Sequence, residues 1–111
     1  MANRFTIGDI EVLALSDGTA TMDDRYIRDV TFEQWEPHKR WLTHDGKLEM
    51  PIGCFLVRSG GVRVLIDCGI GPFKGGFFEG GRLIDDLASA GVAPDDIDVV
   101  FVTHLHADHC G

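Results

Sequence analysis

The sequence predicts an α/β chain of the α+β kind, mainly one mixed β-sheet with a covering helix, and three observations predict it. Apolar runs, alternating or continuous, are punctuated by Gly-Asp and Gly-Gly turn compositions through the first two thirds of the chain. Later, apolar residues recur at helical spacing. A short, wholly apolar and β-branched run follows that helix, as expected for a strand covered on both faces.

Residues 5–15 alternate apolar and polar side chains around Gly8-Asp9, which reads as a hairpin, and Ser16-Asp17-Gly18-Thr19 is expected to end it. Residues 21–49 are richer in charge and carry Tyr26, Phe32, Trp35 and Trp41 at irregular spacing, so a loop with a short helix is expected there. Thr31, followed by Glu33 and Gln34, is placed to cap that helix, provided that Pro37 falls near an end of it. Residues 52–57 and 62–66 are apolar runs separated by Ser59-Gly60-Gly61, a composition that favours an antiparallel pair of buried strands. The stretch 69–81 holds six glycines and reads as a flexible loop. Its Phe73, Phe77 and Phe78 either line a substrate entrance or pack beneath the loop. No Gly-Lys-Ser/Thr signature makes it a phosphate loop. From 82 to 90, Leu83, Leu87 and Ala90 mark a helix that packs on a sheet and stops at Gly91. Residues 94–98 then lead into the strand 99–103.

Length and composition bound what such a chain does. With 111 residues, 44% hydrophobic and 25% charged, it has the makeup of one small packed domain. The formal charge of -8 opposes binding to polyanions, so no nucleic acid is expected as a partner. No apolar run approaches the roughly 20 residues that cross a bilayer, and the N-terminus lacks a secretory pattern; no membrane partner and a cytoplasmic location are the expectation. Cys54, Cys68 and Cys110 have no C-x-x-C spacing, and Cys54 and Cys68 lie in apolar runs as small core residues do.

The chemistry concentrates in His104-Leu105-His106-Ala107-Asp108-His109, three imidazoles and a carboxylate within six residues. Along an extended backbone His104 and His106 fall on one side and can converge on one ion. Asp108 and His109 follow where the chain must turn, and can reach a second ion; mixed nitrogen and oxygen ligation suits zinc or similar metals. His38 and His44 stand isolated among charged and aromatic residues and read as surface histidines.

Thr103-His104-Leu105-His106-Ala107-Asp108-His109-Cys110-Gly111 resembles the H-x-H-x-D-H signature of the metallo-β-lactamase superfamily. Leu65-Ile66-Asp67-Cys68-Gly69 is similar to that family's strand ending in Asp-x-Gly, with Cys68 where Thr is more usual. The resemblance covers nearly the whole chain, most securely from Ile52 onward. It implies a four-layer αβ/βα sandwich of which residues 1–111 are the N-terminal part, a single partial domain truncated after the first metal-ligand motif. It also implies that His104 and His106 bind a first zinc ion and Asp108 and His109 a second, other divalent metals being alternatives. Asp67 would stand behind the ligands and orient the histidines, or else merely close a strand turn. The implied reaction is hydrolysis of a small-molecule ester, lactone or related substrate by a metal-activated water, with Asp108 holding or accepting a proton from that water.

Residues 80–83 with 90–94 look most like the lactonase and organophosphate-hydrolase group. A glyoxalase-type thioesterase is the nearest rival, a ribonuclease is disfavoured by the acidic balance, and His106 argues against flavodiiron-type members, which often carry Glu there. Because catalytic zinc usually takes three protein ligands, the 111 residues alone are expected to be inactive. A non-catalytic metal-binding or dimerisation module, or a nonfunctional remnant, is the alternative from another class. Exposed strand edges would favour a homodimer.

Overall fold

Strand β1 (Asn3–Ile7) turns at Gly8 (φ 59°) into the long strand β2 (Ile10–Asp23), and the two pair antiparallel, as the alternation around Gly8-Asp9 predicts. The computed structural model describes residues 3–111. β2 does not end at Ser16–Thr19. It continues through them, pairing with β3 (Lys47–Ser59) on both sides of a register shift between Ser16 and Thr19. Two residues of β2, Asp17 and Gly18, lie opposite Ile52 alone, which is a β-bulge. The bulge changes the inward parity of β2 from Leu13 and Leu15 to Ala20 and Met22, while β3 keeps Ile52, Cys54 and Leu56 inward throughout. Without the extra residue, the second half of β2 would turn its apolar side chains to water.

The region 21–49 is therefore strand at both ends and helical only between them. Thr31 caps α1 (Phe32–Trp35) through a reciprocal box with Gln34, and a 3-10 turn (Glu36–Trp41) continues it with Pro37 in its first turn, where a missing N–H costs nothing. Gly60 and Gly61, both at positive φ, form the tight turn from β3 to β4 (Val62–Ile66). Only one face of β3 is buried, since Phe55 points outward at 44% exposure.

The glycine-rich stretch is ordered. It contains a small hairpin, β5 (Lys74–Gly75) and β6 (Phe78–Glu79), and β6 pairs with β2 at Thr19 and Ala20. Its organising group is the Asp17 carboxylate, 1% exposed, which accepts backbone hydrogen bonds from Ile70 (2.8 Å) and Gly71 (3.0 Å) on one oxygen and from Gly81 (3.1 Å) and Leu83 (2.9 Å) on the other. A β-carbon at Gly69 would collide with the Asp17 side chain, and one at Gly18 with the Glu79 carbonyl. The glycines are there because the backbone closes on a buried carboxylate.

Helix α2 (Leu83–Ser89) lies on one face of the sheet, and Gly91 (φ 73°) ends it as expected. Leu83, Leu87 and Val92 join Leu13, Leu15, Cys54, Leu56 and Leu65 in the core, with Cys68 packed against its side. A 3-10 turn (Pro94–Asp96) leads to β7 (Val99–Phe101), which pairs parallel to β4 and completes a seven-stranded mixed sheet. The expectation that this strand is covered on both faces is not met: Val99, Val100 and Phe101 are 47–57% exposed, because β7 ends the strand order and α2 covers the sheet farther in. Among the described residues no helix is long and apolar enough to cross a membrane.

Candidate metal centre

Two segments meet to build the centre, the end of β4 and the chain leaving β7. Asp67 N–H donates to the Phe101 carbonyl (2.9 Å), Cys68 N–H to that of His109 (2.9 Å), and Gly111 N–H to that of Gly69 (2.9 Å), so residues 67–69 and 101–111 run side by side. The four predicted ligands lie on a tight bend that His109 N–H closes on the His106 carbonyl (3.0 Å). Cys110 is exposed, and its thiol donates to the same His106 carbonyl at 3.4 Å.

The bend brings the side chains together in two pairs. His104 Nε2 lies 3.1 Å from His106 Nδ1, and His109 Nε2 lies 3.5 Å from Asp108 Oδ2. The rings of His104 and His109 are 3.9 Å apart between centroids, so the pairs are neighbours. Two ligands about 2.0–2.1 Å from a tetrahedral zinc ion are separated by about 3.3 Å. Both distances bracket that edge, and the imidazole and carboxylate donors suit the ion. The arrangement fits a metal as two half-sites: among the described residues no three His, Cys, Asp or Glu side chains are grouped so as to hold one ion.

Asp67 stands behind the pairs. Its Oδ2 accepts a hydrogen bond from His109 Nδ1 (2.7 Å), and its Oδ1 accepts from the Thr103 backbone N–H (2.8 Å). The Thr103 hydroxyl lies 2.9 Å from both carboxylate oxygens. Burial pushes the Asp67 carboxyl up, but the hydrogen bonds from Thr103 and His109 outweigh it and hold the group below its ordinary value. The residue adopts φ 62°, a left-handed conformation that an aspartate tolerates better than most residues and that turns its carboxylate across to Thr103 and His109.

His106, Asp108 and His109 form one wall of a cavity of about 470 Å³. Met22, Tyr26, Met50, Phe77 and Phe78 line its apolar side. Phe77 and Phe78 thus border this cavity, whereas Phe73 packs on Gly75. His38 and His44 are exposed and take no part. Sequence reasoning passed over Thr103, Tyr26 and Met22; the hydroxyl directly before His104 was the one signal available.

Residues 49–111 match the model of the metallo-beta-lactamase superfamily. The chain is similar to N-acyl homoserine lactonase AiiA of Bacillus thuringiensis subsp. kurstaki, 31% identical over 87 residues, covering 63% of this chain and 35% of that protein. It is also similar to ribonuclease TTHA0252 of Thermus thermophilus, 39% identical over 56 residues, covering 50% of this chain and 11% of that protein. Among solved structures, AidC, a dizinc quorum-quenching lactonase, superposes with a TM-score of 0.79 at 26% identity, covering 97% of this chain and 37% of AidC. The chain thus spans about a third of the length of its lactonase relatives. From the match over more than half of its residues and the shared fold, the chain belongs to the metallo-β-lactamase superfamily.

Proposed function

We propose that this chain carries half of the active site of a zinc-dependent hydrolase acting on a small-molecule ester or lactone. The observation that carries the reading is the two close pairs, His104–His106 and Asp108–His109, with His106, Asp108 and His109 at the wall of an apolar cavity. His104 and His106 would hold a first ion and Asp108 and His109 a second. Bound zinc supplies Lewis acidity that polarises a carbonyl oxygen and makes water a nucleophile near neutral pH. Asp108, partly exposed beside His109, is placed to hold a water molecule and take its proton. Met22, Tyr26, Met50, Phe77 and Phe78 exclude water from an apolar part of the substrate. The similarity to AiiA and AidC favours a lactone, and the charge of -8 disfavours RNA despite the ribonuclease relative.

Each pair offers two ligands where catalytic zinc takes three protein ligands, so the 111 residues by themselves are proposed to be inactive. The test is metal analysis together with an ester, lactone, thioester and phosphotriester panel on the full reading frame. Chelator-sensitive turnover of a lactone or ester, with zinc at the first site lost in His106→Ala, is expected. Unchanged zinc content in that variant, or turnover that survives metal removal, contradicts the reading.

A further inference from the structure

We propose that Thr103 is a positioning residue whose hydroxyl relays the Asp67 carboxylate to His104 and fixes the ring tautomer that leaves Nε2 bare for a metal; this rests on the metal-site reading above. A threonine hydroxyl has one proton to donate and two lone pairs. Thr103 Oγ1 lies 2.9 Å from each Asp67 oxygen, and an ionised carboxylate only accepts. The hydroxyl proton is therefore committed to Asp67. The same oxygen lies 3.0 Å from His104 Nδ1, an approach at which it can then only accept. Nδ1 of His104 must carry the ring proton, and in a neutral imidazole this leaves a lone pair on Nε2.

The rest of the network agrees with that assignment. The bare Nε2 of His104 faces His106 Nδ1 at 3.1 Å, a contact in which His106 then has to be the donor. Asp67 sets the tautomer of His109 directly, through the 2.7 Å hydrogen bond from Nδ1, which leaves Nε2 on the side of Asp108. A single carboxylate thus orients one histidine of each pair, His109 by contact and His104 through Thr103. The Thr103 backbone N–H also donates to Asp67 at 2.8 Å, which holds this residue against the carboxylate.

Two variants separate this role from packing. Thr103→Val keeps the shape and removes the hydroxyl; Thr103→Ser keeps the hydroxyl. Side-chain nitrogen NMR of the metal-free chain is expected to find His104 protonated on Nδ1 in the parent and in T103S, and mainly on Nε2 in T103V. Competition with a chromophoric chelator is expected to show zinc binding about 10- to 100-fold weaker in T103V, as for other residues that orient a metal-bound histidine, with T103S close to the parent. A parent His104 protonated on Nε2, or T103S as weak as T103V, overturns the relay. An Nδ1 tautomer in a chain that binds no zinc would uphold the relay and defeat the metal reading, so the two failures are distinguishable.

Discussion

Asp67 and Cys54 show how far single residues depend on their surroundings. Asp67 reads from the sequence as the end of a strand, either orienting histidines or closing a turn, and the structure gives it a positive φ and a hydrogen bond from His109. Neither was legible, because backbone handedness and a partner 42 residues away leave no trace in local composition. Cys54 was legible as a core residue from its apolar neighbours, and it is fully buried. Burial, with the charge of Asp17 second, pushes its thiol from 9.0 up to about 12. The folded chain therefore keeps the thiol protonated where the unfolded chain ionises. Stability is intact below about pH 9 and falls as pH rises toward 12, by up to about 1.4 kcal/mol per pH unit for this one group. Urea unfolding of the parent and of Cys54→Ala across that range should differ in slope by close to one proton, whatever the cost of the lost sulfur. Equal slopes would contradict the assignment.

At the scale of elements, α2, the β3–β4 hairpin and the first turn were legible because spacing and turn residues act locally. Leu83 and Leu87 sit on one helical stripe, and two glycines at positive φ are what a two-residue turn needs. The long reach of β2 was not legible, since Ser-Asp-Gly-Thr has the composition of a turn and is here a bulge. The glycine-rich stretch misled for a related reason. Its order comes from Asp17, whose four N–H partners lie 53 to 66 residues downstream. Asp17 also positions the centre at one remove, because the loop that it holds pairs with Gly111 through Gly69. Asp17→Asn replaces one accepting oxygen by a donor and leaves buried N–H groups facing an amide. A loss of about 3 kcal/mol is expected in chemical denaturation, and a change under 0.5 kcal/mol would remove the carboxylate from the account.

Over the whole molecule, the candidate metal centre lies where the chain leaves β4 and β7, and the helix packs on one face of the same sheet. Parallel pairing of β4 with β7 sets Asp67 beside the chain that leaves Phe101, and that adjacency puts a carboxylate behind two histidines. The closeness of His104, His106, Asp108 and His109 was legible because all four lie within six residues, and alternation plus a bend suffices to gather them. Their division into two pairs, 3.1 and 3.5 Å apart, is what the structure adds. The most direct test is an anomalous difference map at the zinc edge from crystals of the zinc-treated protein. Two peaks are predicted, one between His104 Nε2 and His106 Nδ1 and one between Asp108 Oδ2 and His109 Nε2. No peak at either pair, or zinc held elsewhere with those four side chains turned apart, would contradict the claim that they form a metal centre.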